Sequence, residues 1–276
     1  MIPERARAVV IGGGVIGCSV LYHLAKQGWT DSLLLEQYQL THGSTWHSAG
    51  LVGQLRSSLS LTRMMQYSVG LYAELKELTG NDPGWHQLGG LRLASSEARH
   101  EELRRQASWA KTFGLPMEIV SAQEAQALFP PMSTDGVVAA AFIPDDGYLD
   151  PSQLTFSLAD AARRLGAQLE MRTTVTGIET KNGRVTAVET IGVSGEGGRV
   201  ECDVVVNAAG MYAPQVGRLV GVDLPIIPFG HQYLITEPFQ PTLEPLPTLR
   251  DPDNLIYFRT EVGGLVMGGY ERKPAP

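Results

Sequence analysis

The sequence predicts an α/β fold in which a parallel, nucleotide-binding type of sheet is interleaved with an antiparallel one. Three observations carry this expectation. The glycine-rich turn Gly12-Gly13-Gly14-Val15-Ile16-Gly17 follows a short apolar run and opens a helical pattern. A second apolar run, closed by Glu36, completes a βαβ unit of about 30 residues. The later half of the chain is a series of short strand patterns separated by Asn182-Gly183 and by Pro-rich segments.

Taken in order, Ala8 to Ile11 is a buried strand. Val20, Leu21, Leu24 and Ala25 have helical spacing up to Gly28, and Ser32 to Leu35 is the next strand. Leu59 to Leu78 forms an amphipathic helix, Gly89 to Ala94 a strand and Ser96 to Phe113 a charged helix. Ser121 and Glu124 have capping-box spacing for a short helix that Pro130-Pro131 ends. This middle block does not continue the βαβ alternation and is expected to form a separate, substrate-side layer. Val137 to Ile143 is again strand-like, and Asp150-Pro151 supplies an N-cap and a first-turn proline for the helix Gln153 to Leu165. Gln168 to Met171 is a strand, and Thr174 to Glu179, Arg184 to Ile191 and Arg199 to Asp203 form a meander around Asn182-Gly183. Val204 to Val206 runs into the small residues Asn207-Ala208-Ala209-Gly210. Phe229 to Thr236, Leu255 to Arg259 and Leu265 to Gly269 are three further strands.

Composition narrows the function classes. With 43% hydrophobic and 18% charged residues, the chain is neither disordered, collagenous nor a coiled coil. The net charge of −7 has no basic block that could track phosphates, which excludes nucleic acid as the expected partner. Cys18 and Cys202 have no metal-ligand or disulfide-framework spacing, so a reducing compartment is expected. The most apolar stretch, Val9 to Tyr22, is shorter than the roughly 20 residues that span a bilayer, so no membrane partner is expected. The N-terminus enters a strand pattern at Ala8, so no signal peptide or long transit peptide is expected within it. The expected location is cytoplasmic, or the mitochondrial matrix for a eukaryotic chain given without its presequence.

The glycines have distinct physical tasks. Gly12 permits a tight turn, Gly14 lets a pyrophosphate approach the backbone, and Gly17 lets helix pack on strand. Helix N-terminal N–H groups at Val15 and Ile16 face the diphosphate, and Glu36 is placed to accept from ribose hydroxyls. This fingerprint does not separate NAD from FAD.

The loop after Glu36 does. Gly43-Ser44-Thr45-Trp46-His47, followed by Ala49-Gly50-Leu51, resembles the sarcosine and dimethylglycine dehydrogenase family. The similarity continues through Gly89-Gly90-Leu91, Asp146-Gly147, Asp150-Pro151, Asn207-Ala208-Ala209-Gly210, His231-Gln232-Tyr233, Leu249-Arg250-Asp251 and Gly268-Gly269-Tyr270-Glu271. The resemblance implies FAD, a D-amino-acid-oxidase-like fold and a flavin linked covalently through His47. On that basis residues 1–86 with 148–224 are expected to form a discontinuous FAD-binding domain, and 87–147 with 225–276 an incomplete substrate domain. The expected cofactor-binding residues are Gly12, Gly14, Val15, Ile16, Gly17, Glu36, Gln37, Gly43, Ser44, Thr45, His47, Val175, Ala208, Ala209 and Gly210.

Imidazole is a competent nucleophile toward the electron-poor methyl of a flavin ring, which gives His47 a chemical reason for the tether. The resemblance also implies that His231 faces the substrate amine. Alternation places it on one strand face with Phe229 and Tyr233, and a neutral imidazole can take the amine's proton near neutral pH. Tyr257 matches a tyrosine beside that histidine in the related dimethylglycine oxidase. Arg56 is a candidate fork for the substrate carboxylate, with Arg259 as competitor. Asp145 and Asp146 read as turn formers beside Gly147, and no metal site is expected.

The implied reaction is oxidative demethylation of an N-methylated glycine, with hydride passing from the N-methyl carbon to the flavin. Electrons then leave to an electron-transfer flavoprotein or oxygen. Gln54-Leu55-Arg56 and Gly268 to Glu271 look closer to the sarcosine branch, His231-Gln232-Tyr233 to the dimethylglycine branch. Family members are far longer, so the chain is expected to be an N-terminal fragment, and folate enters only where a C-terminal domain exists. The alternatives are a non-catalytic flavoprotein, like the regulatory subunit of pyruvate dehydrogenase phosphatase, a nicotinamide-dependent dehydrogenase, and an inactive fragment.

Overall fold

The computed structural model describes residues 2–276. The chain begins with β1 (Ala8–Ile11), α1 (Val15–Lys26), β2 (Ser32–Leu35), β3 (Leu51–Val52), α2 (Leu59–Thr79), β4 (Gly90–Ala94), α3 (Glu97–Thr112) and β5 (Glu118–Val120). It continues with α4 (Ala122–Leu128), β6 (Ala139–Ile143), β7 (Gly147–Tyr148), α5 (Pro151–Arg164), β8 (Gln168–Glu170), β9 (Thr173–Lys181), β10 (Arg184–Gly192) and β11 (Gly197–Glu201). The last elements are β12 (Val204–Asn207), α6 (Ala213–Arg218), β13 (Tyr233–Ile235), β14 (Thr248–Asp251), β15 (Ile256–Glu261) and β16 (Gly264–Gly269).

Two compact units result. The first contains the chain through Ser48, Tyr72–Pro83 and Asp150–Pro228; the second contains Ala49–Leu71, Gly84–Leu149 and Phe229–Pro276. Residues 49–71, placed with the nucleotide-binding part in the sequence expectation, fall in the second unit.

The first unit is built on a parallel sheet in the order β12-β1-β2-β8. Apolar side chains on both faces suit a strand that is covered on both sides, and every residue of β1 and β2 is buried. Burying Val9 and Val10 completely stabilises the unit by about 2 kcal/mol each. Helix α1 packs on α5, whose Asp150 cap accepts from the N–H groups of Ser152 (2.7 Å) and Gln153 (3.0 Å) ahead of Pro151. The meander β9-β10-β11 turns at Asn182 (φ 53°) and Gly183 (φ 73°), the paired left-handed conformations that a two-residue hairpin needs. Its Val188 and Val200 close a core with Val9, Ile11, Leu33 and Leu35. Both cysteines lie in this unit; burial pushes the Cys18 thiol up to about 12 and the Cys202 thiol up to about 11.

The second unit is built on a seven-stranded sheet in the order β13-β16-β15-β14-β4-β6-β5, antiparallel except for the β14–β4 pair. Leu91, Leu93, Ala125, Phe129, Ala140, Leu249 and Leu265 form its core. The capping box at Ser121 and Glu124 is present in full. This is the separate layer expected from the broken βαβ alternation.

The structure corrects several boundaries. The strand expected from Phe229 starts only at Tyr233. Gly230 N–H donates instead to Ala275 O (2.7 Å) and Gln232 N–H to the Glu271 side chain (3.0 Å), so these donors are not available to a ladder. His231 therefore precedes the strand and does not share its face with Phe229 and Tyr233. The strand expected at Leu255 begins at Ile256, because Leu255 sits in a turn with φ 58°. β3, β5, β7 and β14 were not foreseen. The first three are two or three residues long, too short for a periodicity. Among the described residues no helix is long and apolar enough to cross a membrane.

Candidate functional site

In the first unit the site grows from the junction of β1 and α1. Gly12 has φ +115°, and a Cβ there would strike the Ala208 carbonyl. A Cβ on Gly17 would strike the Gly12 carbonyl, so this glycine is what lets α1 approach the turn. The first turn of a helix has N–H groups without in-helix acceptors. That of Val15 donates to Thr45 Oγ1 at 3.1 Å, and Ile16 is 64% exposed there. Gly13 N–H donates to Glu36 Oε2 (2.6 Å) and Tyr38 N–H to Glu36 Oε1 (2.8 Å). The carboxylate expected at the ribose is thus held in place by backbone.

These contacts bring Gly12, Gly14, Val15, Gly17, Glu36, Thr45, Ala208 and Ala209 together. Gly43, Ser44 and His47 follow on the same exposed loop, where a 3-10 turn covers Thr45–His47 and the Trp46 ring lies 3.7 Å from that of His47. Gln37 is half-buried beyond β2, and Val175 packs on the core of this unit from β9. Gly210 is exposed with nothing near its Cβ position. The small-residue turn, the donors at the start of α1 and the fixed acid together fit an adenine dinucleotide.

In the second unit, His231 Nδ1 lies 2.5 Å from Glu271 Oε2. The two backbone and imidazole hydrogen bonds, Gln232 N–H first, hold the Glu271 carboxyl down at about 2. With Nδ1–H given to the carboxylate, the Nε2 lone pair is the free one. Tyr270 links this pair to Tyr257: ring centroids are 6.4 Å apart for His231–Tyr270 and 5.5 Å for Tyr257–Tyr270. Burial, and then Tyr270, raises the Tyr257 hydroxyl above its ordinary value, so it remains a donor. A Cβ on Gly268 would overlap the Tyr257 ring, so the glycine makes the space in which that ring lies.

Arg56 is half-buried; NH1 donates to Leu55 O at 3.0 Å, and burial, then the Arg250 charge, lowers its value. Arg259 is engaged elsewhere: Nε donates to Ala49 O (2.6 Å) and NH1 pairs with Glu261 (2.5 Å). It drops out as the competitor for a substrate carboxylate. Asp146 departs most from expectation. It is 5% exposed rather than a solvated turn residue, Oδ1 accepts from Gln54 N–H at 2.8 Å, and desolvation pushes it up to about 6. Of its neighbours, Arg250 belongs to the family motif Leu249-Arg250-Asp251 but was given no role there, and Arg92 was not singled out, since nothing in its spacing distinguishes it from a surface arginine. Among the described residues no cluster of His, Cys, Asp and Glu could hold a metal.

Comparison with known proteins decides the family. The family model described as DAO, FAD dependent oxidoreductase, matches residues 7–276. The chain belongs to this FAD dependent oxidoreductase family. Its relatives include mitochondrial sarcosine dehydrogenase of Homo sapiens, 38% identical over 99% of this chain and 30% of the relative. Mitochondrial dimethylglycine dehydrogenase of Rattus norvegicus is 38% identical over 97% and 31%. The mitochondrial pyruvate dehydrogenase phosphatase regulatory subunit of Mus musculus is 36% identical over 100% and 31%. The chain therefore spans about three-tenths of the length of these relatives. Among solved structures, L-proline dehydrogenase from P. horikoshii superimposes with a TM-score of 0.88 at 28% identity, covering 99% of this chain and 71% of that one. Glycine oxidase from Bacillus cereus gives 0.80 at 25%, covering 99% and 72%. The fold is accordingly that of the D-amino-acid-oxidase-like flavoenzymes, as the sequence motifs implied.

Proposed function

We propose that this chain carries the dinucleotide-binding and amine-binding parts of a flavoenzyme that oxidatively demethylates an N-methylated glycine, sarcosine or dimethylglycine. The observation that carries this reading is the His231–Glu271 pair, an imidazole poised by a carboxylate beside Tyr257 and Tyr270. Similarity to sarcosine and dimethylglycine dehydrogenases supports the substrate class.

Gly12, Gly14, Gly17, the N-terminus of α1 and Glu36 would hold FAD, with Gln37, Gly43, Ser44, Val175, Ala208, Ala209 and Gly210 around it. Bound FAD supplies a ring that accepts a hydride. His231 Nε2 takes the ammonium proton of the substrate, freeing the nitrogen lone pair, and Glu271 steadies the imidazolium that results. Tyr257 orients the amine or the imidazole, and Arg56 holds the carboxylate. After hydride loss the N-methyl carbon is an iminium; water adds and gives formaldehyde and the demethylated amino acid. His47 is the proposed covalent anchor: with FAD bound, its imidazole nitrogen would be the nucleophile that tethers the ring through its methyl group. The electron acceptor after turnover is an electron-transfer flavoprotein or oxygen. The compartment proposed for a eukaryotic source is the mitochondrial matrix, following relatives whose names carry that organelle.

The test is anaerobic mixing with sarcosine or dimethylglycine. Loss of the oxidised flavin spectrum is expected, and His231→Ala with normal flavin content should bleach about 100-fold more slowly. An unchanged rate in the variant removes the histidine from the reaction. Identity to the phosphatase regulatory subunit favours a second reading, a flavoprotein without turnover, which no amine would bleach.

A further inference from the structure

At the carboxyl end of the first unit's parallel sheet, the β2–β8 ladder ends at the pair Leu35–Glu170, and the two segments stay stitched beyond it. Glu36 N–H donates to Glu170 O (3.0 Å), Thr173 N–H to Glu36 O (2.9 Å) and Arg172 N–H to Tyr38 O (3.0 Å). Ligands of open α/β sheets bind outside the carboxyl ends of the strands, and these three bonds lie at that end.

Arg172 makes the stitching possible. In an extended strand consecutive residues face opposite sides, yet the N–H groups of Arg172 and Thr173 both meet the 36–38 segment. A left-handed residue between them turns both to one side, and Arg172 has φ 54°. Glycine would adopt that conformation with less strain, so the backbone alone does not call for an arginine. The side chain has a separate use. With both atoms of its amide satisfied, Gln39 turns its oxygen to Arg172 and accepts from Nε at 3.1 Å and from NH2 at 3.0 Å, a two-pronged grip.

The segment so gripped is the one that places Glu36. Its carboxylate accepts from Gly13 N–H and Tyr38 N–H, and Thr41 N–H donates to Gly13 O at 3.0 Å. A Cβ on Gly13 would come within 2.8 Å of Leu40 Cδ2 and 2.9 Å of Glu36 Cβ, so the turn and this segment are in close contact. On its other side Arg172 leads directly into β9, where Val175 lies two residues after Thr173. The residues expected at the adenosine, Glu36 after β2 and Val175 on β9, are thereby joined through one arginine.

We propose that Arg172 is a positioning residue for the adenosine end of the dinucleotide: its fork on Gln39 holds the Glu36 carboxylate where it accepts from the ribose hydroxyl. This deepens the reading of the first unit given above and rests on it for the contact between Glu36 and the ribose. Arg172 acts through Gln39 and Tyr38 and not on the ligand. Its loss therefore blurs the choice between nucleotides that differ at the ribose, and leaves the fold intact.

Calorimetry with ADP and 2′-deoxy-ADP on the flavin-free full chain, made in riboflavin-starved cells, tests this. Wild type is expected to prefer ADP by about tenfold, and Glu36→Gln to lose most of that preference. Arg172→Gly keeps the left-handed turn and removes only the fork. Its melting temperature should not fall, while the preference for ADP drops by about threefold. Gln39→Ala should match it, and adding Arg172→Gly to Glu36→Gln should cost no further preference. A preference unchanged in both Arg172→Gly and Gln39→Ala overturns the positioning role and leaves the Glu36 contact standing. Equal weakening of both nucleotides in Arg172→Gly also overturns it, since that marks a purely structural role. A wild-type chain that binds the two nucleotides equally, or binds neither, refutes the ribose contact itself and the proposal with it.

Discussion

The two units reach their candidate sites by opposite routes. In the first, most contacts come from backbone and from residues near one another in sequence: Gly12, Gly14 and Gly17 shape one turn, and Glu36 is clamped by the N–H groups of Gly13 and Tyr38. In the second, Arg92, Arg250, Tyr257 and Gly268 come from four strands and meet only through register. A site made of backbone is intolerant of any side chain. A site made of side chains tolerates change in the fold and loses chemistry instead.

The largest expected effect breaks the first kind of site. Gly17→Val forces a side chain into the Gly12 carbonyl, so flavin content should fall to near zero and stability by about 3 kcal/mol or more, read by absorbance and thermal melting. Gly43→Ala, with open space at its Cβ, should leave the melting temperature unchanged. Equal damage from both would show that the turn is not special. Next in size is Gly268→Ala. Its new methyl displaces the far end of a side chain, the Tyr257 ring, so the fold and flavin content persist while kcat/KM drops about tenfold. Loss of folding would place this glycine with the first kind.

The smallest effect is in pH dependence. Asp146 is pushed up to about 6 in the folded state, so the native protein binds the extra proton between the ordinary carboxylate value and about 6. Stability contributed by this group is therefore present in acid and falls as pH rises through that window, on the order of 1–3 kcal/mol. Asp146→Asn keeps the acceptor for Gln54 N–H and should flatten the profile from pH 4 to 6. A variant profile parallel to wild type would show that Asp146 titrates normally.

Legibility in the sequence follows the same division. β1, β2, the capped helices α4 and α5, and the Asn182-Gly183 hairpin were readable because each is specified within a few consecutive residues. The family motif at Gly43 to His47 was readable for the same reason. Strand register is not local, so neither β14 nor the pairing of Arg250 with Arg92 across it could be found, and Asp146 looked like a turn residue beside Gly147. The His231–Glu271 pair was missed as a pair because bridging residue 230 to residue 275 is what brings it together. Alternation misplaced His231 itself because a side-chain acceptor took the donor that a ladder would have used.

The two buried thiols have a practical consequence. With their acidity suppressed to about 12 and about 11, Cys18 and Cys202 carry almost no thiolate at neutral pH and should ignore maleimides. A cysteine introduced at exposed Gly43 would then be the only reactive handle on the chain. A fluorophore fixed there would sit four positions from the imidazole at 47, ready to report by quenching when a yellow ring system arrives.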